Sequence, residues 1–202
     1  MDRITSFAKI AGFCFLTIML YDILIPFLGP IPNSIIIGTT LSFILNALWV
    51  IFFILLISAS VKRSPVITPS WIAIFAFVLV FIRTCFLNYS YSLYKADTKN
   101  WSTISTINTV SSILYYVFVI TLVIAFIWLS KYFQKKSFLK SMCIVIAVAP
   151  VVILLSNIFI HPWKIDNEST RNNIQIGLSL FESLTSFIPE ILFFFAFSKL
   201  KK

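Results

Sequence analysis

Four ionisable residues lie inside long apolar stretches of this 202-residue sequence, namely Asp22, Arg83, Glu182 and Glu190. A charge at the centre of a membrane-spanning helix costs about 2.5 to 3.5 kcal/mol on insertion scales, so such residues usually mark a function or an ion pair. An arginine beside one or two carboxylates lowers the cost of burying each group. We therefore predict an intramembrane charge cluster of these four residues.

Three interpretations of this charge cluster are open at the level of the sequence. The first is an interhelix clamp that fixes which helices are neighbours. The second is a proton- or ion-sensing site, in which a carboxylate held away from water switches on protonation. In the third, Arg83 extends toward the headgroups and pairs with no residue.

The last apolar stretch carries a polar stripe. Ser179, Glu182, Ser186 and Glu190 recur at three- and four-residue spacing, which places them on one face of a helix. Pro189 precedes Glu190 and removes one backbone hydrogen bond there. Such a stripe should face protein or water, and both interhelix contact and pore lining fit it.

Motifs for catalysis or metal binding are absent from the sequence. His161 is the single histidine, and Cys14, Cys85 and Cys143 lie singly in different apolar stretches, where we interpret them as packing residues. No HExxH, GxSxG or phosphate-binding glycine loop occurs. We expect no catalytic residue, no metal and no cofactor, and a protein that is not an enzyme.

The composition is that of a membrane protein. Hydrophobic residues make up 59% of the chain and charged residues 11%, and a helix needs about 20 apolar residues to cross the hydrocarbon. We predict an all-α, polytopic membrane helix bundle that forms one transmembrane domain over residues 1–202. The six predicted spans are 7–29, 35–60, 70–89, 109–130, 141–160 and 174–198.

The basic residues predict the orientation. Eleven of the sixteen fall on one side of a six-span chain, so the positive-inside rule places both termini in the cytoplasm of a bacterial inner membrane. The formal charge of +9 then faces anionic lipid, and we expect no direct contact with nucleic acid. Outside, the segments 90–108 and 160–173 form the predicted surface loops.

A lysine-rich turn between the fourth and fifth spans is the longest predicted cytoplasmic segment. Its basic residues are Lys131, Lys135, Lys136 and Lys140. Two partners fit this turn: an acidic protein and the anionic lipid of the bilayer.

The Phe- and Ile-rich usage, with 22 Phe and 4 Gly, is typical of an AT-rich bacterial gene. In size and architecture across the whole chain, the sequence resembles the small multi-spanning membrane subunits of bacterial phage-defence systems, such as KwaA of Kiwa. The resemblance implies a role in antiviral defence together with a soluble DNA-binding partner.

From these features we expect a non-enzymatic membrane sensor or scaffold that self-associates as a homo-oligomer and recruits a soluble cytosolic effector. One alternative is a small ion channel or proton-coupled transporter that uses the polar stripe. A second alternative is an immunity protein against a pore-forming toxin.

Overall fold

The computed structural model describes residues 2–27, 34–60, 64–95, 101–160 and 167–200, and every regular element in them is a helix. Six helices follow one another, and a single 3-10 turn, Ile25–Phe27, extends the first. They are α1 (Asp2–Leu24), α2 (Ser34–Ser58), α3 (Ile67–Lys95), α4 (Trp101–Tyr132), α5 (Ser137–Phe159) and α6 (Glu168–Ser198). All six are long and apolar enough to cross a bilayer, which confirms the predicted all-α, six-span membrane architecture.

Three helices continue well beyond the apolar runs from which they were predicted. α3 extends to Lys95, α4 begins at Trp101 and α6 begins at Glu168, so much of the predicted outer loops 90–108 and 160–173 is helical. The 29 residues of α3 span about 44 Å, whereas the hydrocarbon is about 30 Å thick. Hydropathy detects only the part of a helix that lies in lipid, and helical hydrogen bonding continues past it through the Ser-, Thr- and Tyr-rich ends.

The helices pack into two compact units, of which the first comprises residues 1–34 and 126–202. Its core is aromatic. Phe15 of α1 lies 5.3 Å from Phe194 of α6, and Phe133, just after α4, lies 6.2 Å from both Phe193 and Phe197, all between ring centroids. The two pairs of Phe133 are edge-to-face, a geometry that stabilises a core beyond the area that it buries.

The second unit comprises residues 35–125 and therefore holds α2, α3 and most of α4. The Trp49 indole stacks on Phe77 of α3, with the rings 5.5 Å apart and 7° from parallel, and Phe77 lies 6.3 Å from Phe118 of α4. These contacts join α2, α3 and α4 side by side. The prediction that residues 1–202 form one transmembrane domain stays a prediction.

Candidate functional site

The predicted charge cluster is distributed over both units. Asp22, Glu182 and Glu190 belong to the first unit, on α1 and α6, whereas Arg83 belongs to the second, on α3. Each of the four side chains is half-buried within the structure. No group of three or more His, Cys, Asp or Glu side chains that could hold a metal ion occurs among the described residues. Pairing of Arg83 with the three carboxylates stays a prediction.

Arg83 lies against an aromatic ring. Its guanidinium carbon is 4.7 Å from the centroid of the Tyr115 ring on α4, a cation–π contact. Its Nε atom is buried and has no hydrogen-bond partner within the part of the chain that the structure describes. Between residues 35 and 125 the sequence contains one acidic residue, Asp97, which falls outside the described residues. Among the described residues of its unit, the Tyr115 ring thus contacts this cation where no carboxylate does.

Hydrogen bonds between side chains connect the helices of the second unit. Thr39 Oγ1 on α2 donates to Asn88 Oδ1 on α3, and Ser90 Oγ on α3 donates to Asn108 Oδ1 on α4, each at 3.0 Å. Bonds of this kind hold membrane helices together where the hydrophobic effect cannot. Thr39 recurs with Ser42 and Asn46 at three- and four-residue spacing along α2, whereas Asn88 and Asn108 lie among the Ser, Thr and Tyr residues toward the ends of their helices.

The register of α3 and α4 is antiparallel and regular. Ser90 lies seven residues after Arg83, and its partner Asn108 lies seven residues before Tyr115. Seven residues are two helical turns, so the polar bond and the cation–π contact lie on the same interface, about 10 Å apart along it. Sequence reasoning missed Tyr115 because an aromatic residue in an apolar run carries no mark of its partner.

The polar stripe of α6 is half-buried along most of its length. Glu182, Ser186 and Glu190 are half-buried, whereas Ser179, nearer the start of the helix, is exposed. The most exposed large apolar side chains in this part of α6 form a separate series at three- and four-residue spacing: Phe181, Leu184, Ile188 and Leu192. Helical periodicity places that series on the opposite side from the stripe. The most exposed side of α6 in this segment is thus apolar.

Asp22 lies on the same face of α1 as the buried residues of that helix. The buried residues of this helix recur at alternating four- and three-residue steps, and Asp22 is the next step of the series Ile4, Ala8, Ala11, Phe15 and Ile18. Phe15 touches Phe187 and Phe194, and α1 and α6 run antiparallel. Asp22, two turns farther along α1, is therefore level with residues 180–187 of α6, the segment that contains Glu182.

The lysine-rich turn is a fixed structure between α4 and α5. Lys131, Lys135, Lys136 and Lys140 are all exposed. Between them, Phe133 and Leu139 are only 3% and 2% exposed, and the Lys136 N–H donates to the Phe133 carbonyl at 2.8 Å. Two buried side chains thus attach the turn to the core of the first unit, and its four ammonium groups point away from that core.

The three cysteines lie singly on α1, α3 and α5. Cys143 is buried in α5, as expected of a packing residue, whereas Cys14 is half-buried and Cys85 is exposed on α3. His161 falls outside the described residues. No protein family, curated protein or solved structure matches this chain.

Proposed function

We propose that this protein is a non-enzymatic sensor or scaffold of a bacterial inner membrane that assembles with itself and recruits a soluble cytosolic effector. The observation that carries the proposal is the lysine-rich turn, in which four exposed lysines are held by the buried side chains of Phe133 and Leu139. A fixed array of ammonium groups can recognise an acidic protein surface without first losing the entropy of a flexible loop.

The proposed sensing element is the set of half-buried charges Asp22, Arg83, Glu182 and Glu190. Asp22 and Glu182 lie at one level of the first unit, on the adjoining helices α1 and α6. A change in their protonation or pairing alters the packing of α6 on α1, and α6 also packs on Phe133 beside the lysine-rich turn. This arrangement supports a route from the carboxylates to the proposed effector surface.

The test is co-purification of the effector with the tagged, full-length protein in mild detergent. Replacing two lysines of the turn, Lys135→Glu with Lys136→Glu, should abolish capture of the effector. The control, Lys9→Glu with Lys199→Glu, changes the net charge equally at two other exposed lysines and should leave capture unchanged. Equal loss in both variants, or loss in neither, would contradict the docking role of the turn.

A second pair of variants tests whether the turn must be held in place. Phe133→Ala removes a ring that contacts α6, whereas Phe138→Ala removes a ring that is 52% exposed. Effector capture should fall in the first variant and persist in the second, while both proteins stay in the membrane. The size of the purified complex, measured by light scattering, reports on self-association.

The architectural resemblance to phage-defence membrane subunits supports a proposed role in antiviral defence. It is tested by expressing the gene with its neighbours and challenging the cells with phage. Protection that requires both this chain and a neighbouring soluble DNA-binding protein or nuclease would support the role. Protection against a pore-forming toxin in place of phage would instead support the immunity alternative.

The second candidate function is a small channel or proton-coupled transporter, favoured by the half-buried stripe of Glu182, Ser186 and Glu190 in α6. Proton or ion flux into liposomes that contain the purified protein tests it. Flux that is lost in Glu190→Gln but kept in Glu168→Gln, at the start of α6, would establish transport. Absence of flux under every gradient would exclude it.

A further inference from the structure

One side of α4 is exposed where the helix ends in the first unit. Trp128 and Tyr132 are 44% and 46% exposed and lie one helical turn apart, with the exposed Lys131 beside them. Three- and four-residue spacing puts these side chains on one face. The buried residues Phe126, Leu129 and Phe133 occupy the other side of the same segment.

Along this face, apolar, aromatic and cationic side chains follow one another in the same order as the acyl chain, the interface and the phosphate of a phospholipid. The exposed Ile127 precedes it on the apolar side, the rings of Trp128 and Tyr132 follow, and Lys131 stands where the helix leaves the hydrocarbon. Trp and Tyr prefer the headgroup level of a bilayer, and a lysine beside them attracts an anionic headgroup. The apolar surface can thus contact the acyl chains, the aromatic rings can lie at the interface, and the cation can bind the phosphate.

The lysines at the start of α5 lack the aromatic neighbours that accompany Lys131. Lys136 and Lys140 are four residues apart, and the Lys140 N–H donates to the Lys136 carbonyl at 3.0 Å. The exposed Ile144 and Val148 follow them at four-residue steps, but α5 contains no Trp and no Tyr. These two lysines therefore have no Trp or Tyr ring on their own helix with which to bind a headgroup.

We propose that Lys131, with Trp128 and Tyr132, binds the phosphate of an anionic phospholipid. The lipid site depends on the exposed face of α4 alone, so it can exist whether or not an effector binds.

The experiment uses the full-length protein in nanodiscs of phosphatidylcholine and phosphatidylglycerol, with native mass spectrometry to count the retained lipids. Lys131→Gln should reduce the preference for phosphatidylglycerol about fivefold, since one lysine near a membrane surface contributes about 1 kcal/mol. The matched control, Lys136→Gln with Lys140→Gln, removes more charge at the start of a helix without Trp or Tyr and should keep the preference. Circular dichroism confirms that each variant is folded.

An unchanged preference in Lys131→Gln, or an equal reduction in the control, would overturn the proposal. Displacement of phosphatidylglycerol by excess inorganic phosphate would also overturn it, because it would show a phosphate site with no requirement for lipid. If Lys131→Gln kept the lipid but lost effector capture, this face would belong to the protein partner. Lipid selectivity and effector capture are separate measurements, so either proposal can fail alone.

Discussion

Arg83 shows how a cation is accommodated inside a membrane-spanning helix. Its guanidinium lies over the Tyr115 ring at 4.7 Å, in a unit whose described residues include no Asp or Glu. The negative face of an aromatic ring attracts a cation, and the attraction strengthens away from water, where contributions reach about 2 kcal/mol. A tyrosine ring can therefore supply part of the stabilisation that a carboxylate would otherwise supply.

This contact predicts an energetic coupling between Arg83 and Tyr115. In a double-mutant cycle of Arg83→Gln and Tyr115→Leu, we expect the two substitutions to be coupled by about 1 kcal/mol. The measurement is the free energy of unfolding of the detergent-solubilised protein. As a control, the cycle is repeated with Tyr116→Leu, whose ring is exposed and should show no coupling to Arg83. Coupling of the same size to both tyrosines would show that the ring of Tyr115 is not the specific partner.

At the scale of the helices, the close approach of α1 to α6 depends on small residues. A Cβ atom added at Gly12 would lie 3.3 Å from Phe195 Cε1 and 3.4 Å from Phe194 Cβ. Ala8 and Ala11 on the same part of α1 are fully buried. Small side chains let membrane helices pack at short distance, and packing drives their association in lipid.

The prediction for this helix pair is that Gly12→Leu destabilises the protein by about 1 to 3 kcal/mol, because the added side chain has no space between the helices. Thermal unfolding in detergent measures the loss. Gly38 is the matched control, since a Cβ atom there would meet nothing within 4 Å, and Gly38→Leu should have little effect. Similar losses in both variants would mean that the α1–α6 contact is not the cause.

At the scale of the whole molecule, six crossings require successive helices to alternate in direction and both termini to lie on one side. The contacts within each unit agree with this alternation. α3 and α4 pack antiparallel, as do α1 and α6. At the end of α4, Phe126 contacts Phe193 and Phe133 contacts Phe197, so α4 and α6 run in the same direction. The distribution of lysine and arginine then predicts which side is cytoplasmic.

Alkaline phosphatase fusions test the predicted orientation, because the enzyme is active only outside the cytoplasm. A fusion that ends at Gln134, in the lysine-rich turn, should be inactive, whereas one that ends at Ile160, after α5, should be active. A green fluorescent protein at the C-terminus should fluoresce. The reverse pattern would place the lysine-rich turn outside and remove the basis of the effector proposal.

The amino-acid sequence by itself determined that the chain has the composition of a membrane protein and how many helices it forms. A run of about 20 apolar residues is a local property that needs no knowledge of neighbours, so all six helices could be predicted. The same holds for the stripe of α6, because periodicity alone puts Glu182, Ser186 and Glu190 on one face. The helices α3, α4 and α6 were predicted too short, because helical hydrogen bonding continues beyond the apolar run that hydropathy detects.

Only the tertiary structure decided which side chains meet. Arg83 contacts Tyr115, and Asn88 and Asn108 accept hydrogen bonds from Thr39 and Ser90. These partners are 18 to 49 residues apart in sequence, and no spacing rule within a single helix can identify them. They are fixed by the register in which neighbouring helices pack, which depends on the shapes of many apolar side chains together. The composition of a helix thus predicts that it spans the membrane, whereas the packing of the helices decides which side chains are in contact.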